Sequence, residues 1–342
     1  MKRAAELFTA ADYARVLRPR IPPEAFRPEP RHLVRIALHL GLLLVGYWAL
    51  REMPLWIAPL CALLVGHSIA CLGFLAHDVS HHSVVRNRAA TRMLELLLFG
   101  VNMIPPSVWR RVHNQTHHVE TNTRHDPDRA FCEAERSRAT ELYSRVFYPS
   151  IRQERVRFFV PLHFVPYIAR NVWAALLPGA SKPAFVPFKP KYTPGQRLAV
   201  IMEICWLGTL QCGAWLLVGG DWARYLWATP VALLVASSVV MAYVFTNHFL
   251  NPLCEHTDPL IGSTSIVVPR WIDWLHDNFS YHTEHHLFPG MNPRHFPAVS
   301  RLLEEHFPER YNRITFGEAW QRLWRQEEFL KSVDPLLEQP TH

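Results

Sequence analysis

The chain has 342 residues, 49% hydrophobic and 19% charged, with 20 histidines, 12 tryptophans and a net charge of +7. Disorder is excluded, because it needs few aromatics and high charge density. So modest a positive balance gives no reason to expect a nucleic-acid partner. The mean hydropathy of -0.02 could describe a soluble enzyme, but it averages two unlike populations.

In chain order, residues 1–32 begin Met1-Lys2-Arg3 and lack the apolar core and cleavage site expected of a signal peptide. Four long apolar runs follow. Leu33 to Leu50 is interrupted only by Arg35 and His39, and Trp56 to Ala76 only by His67 and Ser68. Leu198 to Gly219 carries Glu203 and Gln211 as its strongly polar positions, and Tyr225 to Phe245 carries no charge. About 20 apolar residues at ~1.5 Å rise cross a hydrocarbon layer of about 30 Å, so each run is long enough to span.

Charge supports this reading independently. Residues 1–31, 77–197 and those after 251 together hold 33 of the 36 Lys and Arg, while Arg51–Leu55 and Gly220–Arg224 are short connections with one Arg each. The positive-inside rule then puts all three basic segments, and both termini, in the cytoplasm. The expected architecture is all-α and integral to the membrane: four transmembrane helices as two hairpins beneath a cytoplasmic helical cap. It divides into an N-terminal segment, 1–32, a transmembrane region, 33–251, with a cytoplasmic segment at 77–196, and a cap, 252–342.

Met93 to Ile104 and Phe158 to Leu177 are weaker stretches, broken by polar residues and prolines, and read as helices in the membrane interface. Residues 178–194 read as a Pro- and Lys-rich linker, and 294–333 as amphipathic helix with Leu302, Leu303, Phe307, Trp320, Leu323 and Trp324 on its apolar faces. Six cysteines without CxxC spacing read as small core hydrophobes. Arg outnumbers Lys 31 to 5, which with the compact length suggests a bacterial inner membrane.

Three histidine groups carry the chemistry: His77-Asp78-Val79-Ser80-His81-His82, His113-Asn114-Gln115-Thr116-His117-His118 and His282-Thr283-Glu284-His285-His286. On a helix, residues i and i+4 share a face, so His77 with His81, and His113 with His117, can each serve one metal. His282 offers both i+3 and i+4 partners. Four spans put all three groups on one side, and His248 at the end of the fourth run can join them; one extra span would separate them. So many imidazoles exceed one ion's needs and suit a dinuclear transition-metal site, not Mg or Ca. A zinc hydrolase of the HExxH type is disfavoured, since His77-Asp78-Val79-Ser80-His81 has no Glu in the general-base position. A metal-transport or metal-sensing membrane protein would place ligands inside the spans, where only His39 and His67 lie.

These boxes resemble the integral-membrane fatty acid desaturases and their hydroxylase, ketolase and alkene-forming decarboxylase relatives. The resemblance runs from about His77 to Asn312. It includes Trp109 before the second box, His118-Val119-Glu120-Thr121-Asn122 with Asp126 and Asp128 after it, and Leu287-Phe288-Pro289 after the third. It implies a non-haem di-iron centre that uses O2 and two electrons to abstract hydrogen from an unactivated C–H bond.

Carried over by motif, the implied iron ligands are His77, His81, His113, His117, His118, His248, His282, His285 and His286. Asn278 is a weaker candidate for holding a metal-bound water, and His82 and His125 stand as outer neighbours. Asp78, Asp126, Asp128, Asp273 and Glu284 are candidates to orient ligand imidazoles. The second box has three residues between its first two histidines where most acyl desaturases have two, a spacing more frequent among the hydroxylases. The third box begins with His282, unlike the Gln of cytochrome b5 fusions, and His-Pro-Gly-Gly is absent.

The expected function is O2-dependent desaturation of a fatty acyl chain linked to CoA, carrier protein or lipid. A separate donor such as ferredoxin, rubredoxin or cytochrome b5 would supply electrons, and membrane lipid would surround the spans. Hydroxylation, ketolation or oxidative decarboxylation is the alternative for the same site.

Overall fold

The computed structural model describes residues 8–123, 125–128, 162–177, 191–252, 254 and 256–325. Cys132, most of the 178–194 linker, the start of the Phe158–Leu177 stretch and residues 326–333 of the amphipathic segment lie outside that set.

Helix α1 (Ala10–Leu17) starts at a capping box between Thr9 and Asp12. The long helices α2 (His32–Glu52) and α3 (Ala58–Ser80) are separated at Met53-Pro54, where Pro54 stops α2 from continuing. Then come α4 (Arg88–Val101), capped by Asn87, and α5 (Phe164–Leu176). Helix α6 (Pro194–Leu217) opens on a Thr193/Gln196 capping box. Helix α7 (Ala232–His248) is preceded by a π turn at Trp227–Val231, where Pro230 interrupts the hydrogen-bond ladder.

Among the described residues, four stretches are long and apolar enough to cross a membrane: His32–Glu52, Leu55–Ser80, Pro194–Leu217 and Trp222–His248. Their outward side chains fit that reading, with Val34, Trp48, Leu60, Met202 and Leu216 all exposed. Cys205 and Cys212 on α6 are also exposed, which corrects the core role expected of them, whereas Cys61, Cys71 and Cys254 are buried.

Helix α3 is the most buried of the four and packs between α2 and α7. The approach to α7 is closest at Gly66, where an added Cβ would lie 2.5 Å from the Ala232 carbonyl oxygen. Backbones come this near only across small residues.

Beyond α7 the chain is not purely helical. Strand β1 (Ser265–Val267) is followed by α8 (Arg270–Leu275), α9 (His282–Leu287) and α10 (Phe296–His306). Strand β2 (Arg313–Thr315) then pairs parallel with β1, Ile266 opposite Ile314, before α11 (Phe316–Arg325). The amphipathic helix expected over 294–333 is, in its described part, two helices separated by a strand. The β pair anchors α11 beside α7, where Leu323 packs on Met241 and Phe245.

Helix α1 joins the same body. Tyr13 and Leu17 bury against Leu287, Met291 and Leu303, and the Tyr13 hydroxyl donates to Asp258 at 3.0 Å. Asp258 also accepts from the Phe8 amide and Arg310. Helix α9 is thus held by elements from both ends of the chain.

Candidate metal centre

All nine histidines expected to act as ligands come together, in two adjacent groups. His77, His81, His113, His118 and His285 form one, and His117, His248, His282 and His286 the other; within each group, one ring nitrogen per residue lies within 4.8 Å of the rest. Helix α3 supplies His77 from its last turn and His81 as the residue that caps it, α7 supplies His248 as its last residue, and α9 supplies three from one short helix.

The second box departs from expectation. His113 and His117 stand in different groups, because Arg110–His117 is a π-helix. Its wider turn carries i→i+5 hydrogen bonds, so His113 shares a side with His118 while His117 is directed to the other group. The three-residue spacing in this box is absorbed by the local backbone, with no ligand displaced from the centre.

The donor atoms fit a metal. The Nε2 atoms of His77, His81, His113 and His117 are buried and have no hydrogen-bond partner among the described residues. Elsewhere Nε2 faces Nε2, at 3.2 Å for His118–His285, 2.6 Å for His248–His282 and 3.1 Å for His282–His286. Buried nitrogens converging on one another without partners are costly unless a cation lies between them. Burial, reinforced by neighbouring imidazoles, holds His81, His113, His118, His282, His285 and His286 well below the ordinary histidine range. They are therefore neutral and offer lone pairs, as metal ligation requires.

His117 is the exception. Burial alone would lower it, but Asp126 and Asp128 outweigh that and take it up to about 9. The Nδ1 of His117 lies 2.8 Å from Asp126 Oδ1, and that of His113 lies 3.0 Å from Asp128 Oδ2. Carboxylates on the far nitrogen fix the tautomer and raise the basicity of the nitrogen facing the metal. Asp78 stands in a looser version of this relation, 3.3 Å from His77 Nδ1.

Asp273 and Glu284 do not take the orienting role expected of them. Asp273 accepts from Ser280, while the fully buried Glu284 accepts from Ser265 at 2.6 Å and from Tyr311, tying α9 to β1 and to the segment before β2. Burial raises the Glu284 carboxyl above its ordinary range, against the pull of these hydroxyls. Asn278 donates to the Pro293 carbonyl at 3.2 Å and lines a cleft without touching a ligand imidazole. His82, with φ +61, leaves the helix after α3 and approaches Thr91; it is exposed, as is His125.

Three contributors escaped the sequence reading. Thr121 Oγ1 lies 3.3 Å from His286 Nδ1, and Tyr167 of α5 donates to Asp128. Asn122, with φ +56, donates to the His248 carbonyl at 3.2 Å while its own amide donates to Asp126. Thr121 and Asn122 stand in the stretch after the second box that carried part of the resemblance, but nothing in the sequence around Tyr167 connects it to Asp128. Replacing Asp126 with Asn is expected to weaken metal retention by about 10–100-fold with the fold intact, read as the metal remaining on purified protein after dialysis against a chelator.

A narrow cleft with about 10 Å³ of free space, room for about one water molecule, reaches this centre. His77 and His285 of one group and His282 of the other line it, with Phe279, Tyr281 and Phe296. A ligand there would meet both groups of imidazoles along an aromatic wall.

Comparison with known proteins accords with this architecture. The fatty acid desaturase family model matches residues 54–317. The chain is 26% identical to a Delta(8)-fatty-acid desaturase of Euglena gracilis, over 79% of this chain and 66% of that protein. It is 24% identical to a Delta 8-(E)-sphingolipid desaturase of Lachancea kluyveri, over 78% and 48%, and 22% identical to the sn-1 oleoyl-lipid 12-desaturase of Anabaena variabilis, over 80% and 77%. The chain thus spans about half to two thirds of the length of the first two of these relatives. With most of its length matched, from before the first histidine box to beyond the third, the chain belongs to the fatty acid desaturase family.

Proposed function

We propose that the protein is an integral-membrane desaturase that inserts a double bond into a fatty acyl chain, consuming O2 and two electrons from a partner of the ferredoxin, rubredoxin or cytochrome b5 kind. The observation that carries this reading is the gathering of nine imidazoles into two adjacent groups, in a chain of the desaturase family. An all-imidazole donor set suits iron, and two such ions would activate O2, the oxidant that removes hydrogen from an unactivated C–H bond.

The protein's own residues do the rest. Asp126 and Asp128 hold His117 and His113 in a single tautomer. Phe279, Tyr281 and Phe296 give the cleft an apolar wall that would keep water from the reacting carbon, and the cleft would have to open to seat a methylene chain. Glu284 ties α9 to Ser265 of β1 and to Tyr311, so that three ligands keep their positions relative to the cleft.

In the proposed topology the four spans form two hairpins, with both termini, the 77–196 segment and the 252–342 cap on the cytoplasmic face of a bacterial inner membrane. The clustering of 33 of 36 basic residues outside the spans and their short connections supports it. The acyl group would be presented on CoA, a carrier protein or a membrane lipid.

Gas chromatography with mass spectrometry of total fatty acids, from an aerated host expressing the protein with a matched donor, tests the reading. The expected product is an acyl chain lacking two hydrogens and carrying one new double bond, absent from cells expressing His285→Ala. A product that gains oxygen, or loses its carboxyl carbon, would move the protein to the hydroxylases or decarboxylases.

A further inference from the structure

A second, smaller cluster of ligating side chains lies deeper along α3. His67 and Cys71 are four residues apart and share a face of that helix. His276, from the turn after α8, closes on them: its Nε2 is 3.2 Å from His67 Nε2, and Cys71 Sγ is 3.8 and 3.9 Å from the two nitrogens of His67. The three form a group whose ligating atoms all lie within 4.8 Å of one another. Cys71 is six residues from His77, about 9 Å along the helix, and none of the three belongs to the nine-histidine centre.

From these contacts we infer a separate metal site, formed by His67, Cys71 and His276, that takes a single soft transition-metal ion of the zinc class. With metal–nitrogen bonds of about 2.0–2.1 Å and a metal–sulfur bond of about 2.3 Å, tetrahedral geometry puts nitrogens about 3.3 Å apart and sulfur about 3.6 Å from nitrogen. The His67–His276 and Cys71–His67 distances agree within a few tenths of an ångström, and Cys71 and His276 lie within 4.8 Å. Two imidazoles and a thiolate make a soft donor set that favours zinc or copper(I) over the ions taken by oxygen ligands.

Two features outside the triad point the same way. Tyr243 of α7 holds His276 through Nδ1 at 2.9 Å, leaving Nε2 for the ion, the outer support that metal-bound imidazoles have. His39 of α2 is 5% exposed, its Nδ1 has no hydrogen-bond partner among the described residues, and its ring centre lies 6.5 Å from that of His67. It is the nearest candidate for a fourth ligand. On binding, the Cys71 thiol gives its proton to solvent.

The ion would act as a staple. His276 directly precedes Asp277 and Asn278, whose φ angles of +53° and +56° are strained for residues with side chains, and both line the cleft beside His282. Fixing His276 to α3 fixes the turn that shapes the cleft wall.

Cobalt(II) tests this on the full-length protein in detergent, stripped with a chelator and then titrated with the metal. A cobalt–thiolate bond gives a charge-transfer absorption that imidazole ligands alone cannot, so the nine-histidine centre is silent in this measurement. The expected result is a thiolate band in wild-type protein and in His285→Ala, lost in Cys71→Ala, Cys71→Ser and His67→Gln. Wild-type protein that binds cobalt without the band, or a band that survives both Cys71 substitutions, would overturn the site. Because the band is sought in His285→Ala as well, its absence is separable from failure of the larger centre, and the wild-type spectrum decides even if one variant does not fold.

Discussion

Protein carrying His113→Ala together with His285→Ala is expected to keep one iron per chain, whereas His113→Ala with His117→Ala should hold iron less well at both positions. The first pair is remote in sequence but belongs to one group of imidazoles; the second lies four residues apart on one box and is divided between the groups. Removing two ligands from one group leaves His117, His248, His282 and His286 intact, while removing one from each leaves four and three imidazoles and weakens both. Each combination should abolish product, a larger effect than the about 10–100-fold loss expected from an outer partner such as Asp126. Metal content by mass spectrometry distinguishes the two. Equal metal loss in both double variants would mean that the π-helix at 110–117 does not divide the second box.

Gly66→Leu should prevent α3 and α7 from packing. The first atom of any side chain at residue 66 would lie 2.5 Å from the Ala232 carbonyl oxygen and 2.6 Å from Val235 Cβ. The first neighbour is backbone, so relief requires α7 itself to move, and α7 carries His248 into the centre. Overpacking of this kind costs about 1–3 kcal/mol for a small intrusion, which sets the scale for Gly66→Ala; the leucine should exceed it and displace a ligand as well. A lowered thermal midpoint in detergent, accompanied by metal loss, is the expected result. Gly208→Ala on α6, where an added Cβ meets nothing within 4 Å, should leave both unchanged. If Gly66→Leu matched that control, the close crossing of α3 and α7 would be wrong.

The limits of the sequence reading have identifiable physical causes. The pairing of His77 with His81 was legible because four residues on an α-helix return to the same face, and the four spans because their length and hydropathy suffice. The division of His113 from His117 was not, since nothing in the side chains of 110–117 signals a π turn; tertiary packing imposes it. The exposure of Cys205 and Cys212 was likewise hidden. A helix that is apolar all round carries no polar face to show which side packs and which meets lipid.

Glu284 illustrates a further limit. Its place inside the third box suggested service to an imidazole, yet its partners Ser265 and Tyr311 are 19 and 27 residues away. Tyr167 reaches Asp128 across 39 residues. Such contacts follow from the fold as a whole, and so does the pairing of β1 with β2 across nearly fifty residues, which makes the region after α7 more than a set of helices.

The most direct test of the central claim is to measure iron and turnover on the same preparation, with wild-type protein loaded to increasing extents. The account predicts saturation at about two irons per chain, as two groups of imidazole ligands imply, with desaturated product rising only as both sites fill. Full activity in metal-free protein, or activity that saturates at one iron per chain, would contradict it.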